Sequence, residues 1–340
     1  MSEFPLPLDT EPMEARSAET LPIDAGWQYE PKWDGFRCLA FKAGSEVDLR
    51  AKSGKPLSRY FPDVVEHVRD MSTKSCVVDG ELIIAVDGAL SFEALQLRLH
   101  PAASRVAKLA GAQPAQLILF DCLASSRRSL LDAPLTKRRE ELEKLKLAPC
   151  MRLSPYTRDP KAARNWLKHT GRALDGVIAK RLDAGYAQGE RAMLKVKRLR
   201  SADCVVGGFR YGTGAKLVGS LLLGLYDDDG LLHHVGFTST IANAERGELT
   251  KRLEKLAGGS GFTGRAPGGP SRWSTERSGE WVQLKPKLVV EVRYDHVGDD
   301  RFRHGTKLLR WRPDKAPRQC TFEQLAPPAP PAEIASLLKR

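Results

Sequence analysis

The chain has no Cys-x-x-Cys pair, and its six cysteines, Cys38, Cys76, Cys122, Cys150, Cys204 and Cys320, stand singly. That excludes a zinc finger or ribbon and argues against a disulfide framework. Four of them lie in apolar, strand-like runs, where a cysteine is usually a small buried hydrophobe, so reduced thiols and a cytoplasmic, nucleoid-associated protein are expected. No apolar run approaches membrane-spanning length, which excludes a transmembrane helix. Residues 1–22 are acidic and proline-containing, without a basic or apolar leader segment, so no signal peptide is expected. There is no Walker A loop, no serine triad and no internal repeat, so any nucleotide bound here is not held by a P-loop.

What the chain has is length and positive charge. Its 340 residues allow two domains, and its formal net charge is +12. The surplus is not a tail. Residues 1–200 carry 33 basic and 26 acidic side chains, and residues 201–340 carry 21 and 16. Basic surfaces in both halves fit a polyanion lying against both, although a merely soluble basic protein has the same balance.

The most informative stretch is Glu30-Pro31-Lys32-Trp33-Asp34-Gly35-Phe36-Arg37. The proline fixes its own φ and offers no donor, and Gly35 permits a tight turn. Phe36–Phe41 suits a strand. Lys32 is therefore expected on a turn at the mouth of a sheet, with Arg37 close by to disfavour its ammonium form and make the amine a nucleophile. A solvated Pro-Lys turn in a hairpin is the bland alternative.

Further along, Val47–Lys52 can pair with that strand across Gly44-Ser45. Pro62 opens a helix. Cys76–Ile84 reads as a strand with Asp79 and Glu81 on one face, costly unless the face lines a cleft or lies in water at a sheet edge. Ser91 caps a helix to about Leu99. Gln116–Leu123 reads as a buried strand ending near Phe120 and Asp121. Thr136 opens a charged helix, and Asp159-Pro160 starts one running to Gly171. Leu174–Lys180 repeats the Asp-Gly device at Asp175, and Met193–Lys197 places Lys195 and Lys197 on one face. Beyond Ser201 come five strand-like runs, 204–211, 220–226, 232–238, 288–295 and 308–311, with a helix at about 242–256 after the third, the pattern of an OB barrel. Residues 261–280 form a Gly/Ser/Arg-rich loop, and the prolines of 326–332 suggest an irregular tail.

The octet around Lys32 resembles motif I of the covalent nucleotidyltransferases, Lys-x-Asp-Gly-x-Arg. The later motifs follow in order: Val78-Asp79-Gly80-Glu81-Leu82, Phe120-Asp121, Asp175-Gly176-Val177 with Lys180, Lys195-Val196-Lys197, and Arg312-Pro313-Asp314-Lys315. The chain most resembles the short C-type bacterial ATP-dependent DNA ligases, sharing Trp-Asp-Gly-Phe-Arg and the Val289–Asp295 run. The resemblance implies an α+β chain: a nucleotidyltransferase domain of ATP-grasp-like antiparallel sheets with helices over 1–200, an OB-fold β-barrel over 201–325, and a proline-containing tail over 326–340.

Carried over by position, the resemblance makes Lys32 the nucleophile that takes AMP from ATP. Glu30 would read the adenine edge, Arg37 and Glu81 the ribose, and Phe120 would stack on the base. Asp175 and Glu81 would serve a magnesium or manganese ion. Lys195 and Lys197 would hold the α-phosphate, while Arg312, Asp314 and Lys315 would act on departing pyrophosphate. Asp175 stands where relatives have glutamate. Lys52 stands where many have an arginine facing a 5′-phosphate, and a lysine cannot form that bidentate fork. The implied partners are nicked double-stranded DNA and a repair polymerase, with the ligase acting as a monomer. Motif I so near the N-terminus leaves no room for a large DNA-binding domain, so weak, salt-dependent DNA binding is expected. An RNA ligase or capping enzyme shares the motif order. A non-catalytic OB module with a decayed first half is the alternative from another class, and intact Lys32, Glu81 and Lys195 argue against it.

Overall fold

A computed structural model describes residues 4–339, apart from 171–173, 199, 215, 269–279, 299 and 327–328. The chain divides into two compact units, residues 1–198 with 328–340, and residues 199–327.

The first unit is built on two sheets. One has the strand order Ala15–Ser17, Met193–Val196, Leu174–Arg181, Trp27–Trp33. The other has the order Met151–Leu153, Gln116–Ser125, Ser75–Ile83, Phe36–Ala43, Glu46–Ala51. The chain passes from one sheet to the other at Asp34-Gly35, so residues only five apart, Lys32 and Arg37, stand on different sheets. Gly35 does not take the left-handed conformation expected of a tight turn. Its requirement is space: a Cβ there would lie 2.1 Å from the Leu82 carbonyl oxygen. Accordingly, Lys32 belongs to the end of a strand rather than to a turn.

Period-2 alternation sorts the side chains of the second sheet. Leu39, Phe41, Val77 and Leu123 join Met13, Tyr186 and Met193 in one buried cluster. Cys38, Ala40, Val78, Leu117 and Leu119 face the other way, onto Val64 and Val68 of helix Pro62–Arg69, Leu95 of helix Phe92–Arg98 and Leu142 of helix Leu135–Lys144. The Ser91 hydroxyl accepts from the Ala94 amide and the Asp159 carboxylate from the Lys161 amide, so both expected caps are made. The helix begun by Asp159 spans Pro160–Lys168; the expected end at Gly171 lies outside the described residues. Helix Ala103–Ala112 starts from Ala102 with no side-chain cap, so its sequence carries no start signal.

Two segments differ from expectation. Residues 1–26, whose sequence suggests an irregular lead-in, contribute strand Ala15–Ser17, parallel to Met193–Val196. The C-terminal stretch is not wholly irregular: Ala332–Leu338 is a helix belonging to the first unit. Its Ile334 and Leu338 are buried in one cluster with Tyr29, Trp33, Ala163 and Trp166, and the Trp166 indole donates to Glu333 at 2.5 Å. Proline stops a helix from continuing but favours its first turn, and Pro331 here stands at the N-cap.

In the second unit, five antiparallel strands run in the order Leu232–Thr238, Val218–Tyr226, Arg200–Tyr211, Val289–Tyr294, Lys307–Trp311. Helix Arg246–Glu254 falls between the third and fourth in sequence, the OB arrangement. Most of the Gly/Ser/Arg-rich loop, residues 269–279, lies outside the described residues.

Candidate active site

Strand Trp27–Trp33 places Gln28, Glu30 and Lys32 on one face. Across from it on Leu174–Arg181, Gln28 stands opposite Lys180, Glu30 opposite Ile178 and Lys32 opposite Gly176. Ile178 in turn stands opposite Lys195. A β-bulge between Leu174 and Gly176 leaves Asp175 without a direct partner. Bulges re-aim side chains, and this one sends the Asp175 carboxylate to two ammonium groups, Lys32 at 2.5 Å and Lys197 at 2.9 Å. Gly176 makes room for that meeting. Its φ is +145°, and a Cβ would lie 2.3 Å from the Val196 carbonyl oxygen.

The facing sheet supplies the other wall. Arg37 stands opposite Glu81. A second bulge, between Asp79 and Gly80 on one strand and Leu119 and Asp121 on the next, leaves Phe120 unpaired. The Phe120 ring takes the Arg37 guanidinium and the Lys180 ammonium, each 4.6 Å from its centre. Asp121 turns away from the cleft and is held by buried Arg138 at 2.7 Å.

Between the walls lies a cavity of about 250 Å³ lined by Glu30, Lys32, Arg37, Lys52, Glu81, Phe120, Lys180 and Lys195, and closed by Pro12–Ala15 of the lead-in. Seven of the residues marked out in the sequence thus share one cavity. Its side chains include five cations, Lys32, Arg37, Lys52, Lys180 and Lys195, against three carboxylates, Glu14, Glu30 and Glu81, a balance that suits a bound polyanion. Arg312, Asp314 and Lys315 belong to the second unit. There Arg312 and Lys315 converge on the Asp203 carboxylate at 2.9 and 2.8 Å, and Arg312 also holds Asp314 at 2.8 Å.

The electrostatics differ from the sequence expectation at Arg37. Its guanidinium does not serve as a free charge beside Lys32. It donates two bonds, 2.5 and 2.6 Å long, to Asp79, whose carboxylate also accepts from the Tyr186 hydroxyl at 2.5 Å. Burial opposes the charge on Arg37, and the Asp79 carboxylate more than offsets this, so its pKa is raised. Burial pushes the Glu81 carboxyl up to about 7 against the pull of Arg37 and Lys32. Lys195 is shifted down by burial and then by Lys32, Lys197 and Lys52 around it. Lys52, mostly exposed, is paired with Glu14 at 2.9 Å.

No group of three or more His, Cys, Asp or Glu among the described residues is placed to hold a metal ion. Glu81 lines the cavity and Asp175 holds the cavity-lining Lys32, and carboxylates are the donor type that magnesium takes, one or two of them together with substrate phosphates. Gln28, Tyr186 and Pro12–Ala15 carry no mark in the sequence, whereas Asp79 is expected there as a carboxylate of the Cys76–Ile84 strand and Lys180 as part of a motif. The period-2 series Gln28, Glu30, Lys32 could have pointed to Gln28. Nothing in sequence ties Tyr186 to Asp79.

The family model of the ATP dependent DNA ligase domain matches residues 12–197, and that of the ATP dependent DNA ligase C terminal region matches residues 214–315. The chain is 44% identical over 338 residues to DNA ligase C1 of Mycolicibacterium smegmatis, covering 96% of each. It is 40% identical over 346 residues to DNA ligase C of Mycobacterium tuberculosis, again covering 96% of each. The multifunctional non-homologous end joining DNA repair protein LigD of Mycobacterium tuberculosis is 29% identical over 313 residues, which cover 91% of this chain and 37% of LigD. A solved structure of a Lig E DNA ligase, 16% identical with a TM-score of 0.53, covers 89% of this chain and 99% of its own and shares the fold. Matched by both domain models and by relatives of 40% identity or more over nearly its whole length, the chain belongs to the ATP-dependent DNA ligases.

Proposed function

We propose that this ligase seals nicks in duplex DNA through an AMP carried on Lys32, and that it works as a monomer in DNA repair beside a polymerase. The observation that carries the assignment of Lys32 is its position: it lines the cavity with its ammonium on Asp175, next to Lys195, Arg37 and Glu30. The repair role draws on the end-joining relatives. No helix of the described residues is long and apolar enough to cross a membrane.

The Lys32 amine, once it gives up a proton, attacks the α-phosphorus of ATP. A P–N bond forms and the bond to pyrophosphate breaks. Lys195 and Lys197 spread charge on the phosphate oxygens, Glu30 and Phe120 hold the base, and Arg37 and Glu81 hold the ribose. A divalent cation held by Asp175 and Glu81 would add Lewis-acid stabilisation of those oxygens. A 5′-phosphate oxygen of the nick then takes AMP from the lysine. Finally, the 3′-hydroxyl attacks that 5′-phosphate and AMP leaves. The protein's part in the last step is alignment.

Incubation with ATP and magnesium or manganese, followed by peptide mass spectrometry, is expected to place one AMP on Lys32. Lys32→Ala should lose both the adduct and nick sealing. An adduct on another lysine, or undiminished labelling of the variant, rejects the assignment.

A further inference from the structure

We propose that Gln28 and Lys180 are positioning residues that set the nucleobase preference of the cavity, by holding Glu30 as a carboxylate that can only accept hydrogen bonds. The inference rests on the reading above that Glu30 faces the base.

Glu30 is 2% exposed, yet it is one of the residues that line the cavity. A buried carboxylate persists only with donors on it. Here both oxygens have one. Lys180 Nζ lies 2.8 Å from Oε2, and the Gln28 amide donates to Oε1 at 2.8 Å. Both donors are themselves buried, 1% exposed for Gln28 and 3% for Lys180. They form a directly opposed cross-strand pair, and Glu30 lies two residues from Gln28 on the same face. Lys180 also donates to the Phe120 carbonyl at 3.3 Å and sits over the Phe120 ring, so one ammonium fixes both the carboxylate and the proposed stacking platform.

The chemistry then selects the base. With donors already on each oxygen, the lone pairs left on Glu30 can accept from a 6-amino group and meet only repulsion from a 6-oxo group. Sites built around one hydrogen-bonding pattern reject the mismatched analogue strongly. Without Lys180 or Gln28, one Glu30 oxygen loses the donor that fixes it, and the carboxylate is free to turn from the direction in which it meets a 6-amino group.

The test compares kcat/KM for self-adenylylation-coupled nick sealing with ATP and with inosine triphosphate, its 6-oxo counterpart. Wild type, Gln28→Leu, Lys180→Met, Lys180→Arg and Glu30→Gln are assayed, with folding checked by circular dichroism and thermal melting. Wild type should prefer ATP strongly. Gln28→Leu and Lys180→Met should lower the ATP-to-inosine ratio by roughly tenfold or more, the scale of one lost hydrogen bond to a charged group. Lys180→Arg, which keeps the charge, should restore most of it. If Lys180→Met fails to fold, Gln28→Leu and Lys180→Arg decide the matter. A ratio that moves in Glu30→Gln but stays at the wild-type value in Gln28→Leu and Lys180→Met overturns this proposal alone. A ratio unmoved in Glu30→Gln overturns the base-facing role of Glu30 and the proposal with it.

Discussion

The Asp175 carboxylate stands 2.5 Å from the Lys32 ammonium and 2.9 Å from that of Lys197, and so ties the cavity-lining Lys32 to Lys197. The bulge between Leu174 and Gly176 sets the direction of this short side chain. Removing the charge while keeping the size should therefore cost alignment rather than folding. Asp175→Asn is expected to slow single-turnover adenylylation by roughly ten- to a hundredfold, as misplacing a reacting group does, with much less change in ATP binding. Asp175→Glu should be impaired as well, because the longer side chain has to fit a space shaped for aspartate. Rapid-quench measurement of lysyl-AMP formation against ATP concentration separates the two effects. An Asp175→Asn rate near wild type would mean that this pairing is a feature of the ligand-free protein only.

At the scale of strands and helices, most elements could be read from the sequence because periodicity, caps and Asp-Gly turns agreed with one another. Gln116–Ser125 and Leu232–Thr238 show it in strands and Ser91 shows it at a helix start. The parts of the site that could not be read depend on register. Alternation from Leu117 and Ile118 predicts the cleft-facing side for Phe120, but nothing in the residues announces that Asp121 will turn toward Arg138. The same holds for Asp175, whose direction is set by a bulge, and for Asp79 and Tyr186, which meet 107 residues apart. The C-terminal helix was hidden by its prolines. It buries Ile334 and Leu338 beside Trp33, next to Lys32 in sequence. Ile334→Ala with Leu338→Ala should cost about 4 kcal/mol or more and lower the melting temperature of the first unit by roughly 8 °C or more. An unchanged melting curve would show that the helix adds nothing to that core.

A buried histidine gives the second unit a pH dependence of its own. His234, 4% exposed, is pushed down to about 3 by burial and then by the neighbouring charges of Arg301 and Arg210. Below its unfolded pKa of about 6.5 the unfolded chain takes up a proton that the folded unit refuses, so stability is present above that pH and is lost as pH falls toward 3. His234→Gln removes the proton uptake. Urea unfolding between pH 7 and 4.5 should show a slope about one proton shallower in the variant. Identical slopes would place the acid sensitivity elsewhere.

For the whole molecule, the question is whether the chemistry proposed at Lys32 depends on residues some 280 positions later. All residues lining the cavity come from the first unit, whereas Arg312, Asp314 and Lys315 come from the second. The family resemblance gives the latter three a role in pyrophosphate departure. In the second unit Arg312 and Lys315 share Asp203 as counter-ion, and burial at that carboxylate holds both side chains in one place. A pair of cations kept together in this way is suited to a multiply charged leaving group, and it has no evident task once AMP is on the lysine. Arg312→Ala with Lys315→Ala should therefore slow adenylylation from ATP severely while leaving the sealing of a nick that already carries 5′-adenylate far less affected. The bland alternative is that the tetrapeptide is only a basic turn braced by Asp203. In that case the loss of three ion pairs would lower the stability of the second unit and reduce both reactions together. Melting curves of the double variant, taken beside the two assays, separate these outcomes. A large loss in the first assay alone, from a variant that melts close to wild type, is the result expected here. Equal losses in both would mean that Arg312 and Lys315 bind DNA or hold the fold, and a role for them in charging the enzyme would have to be given up.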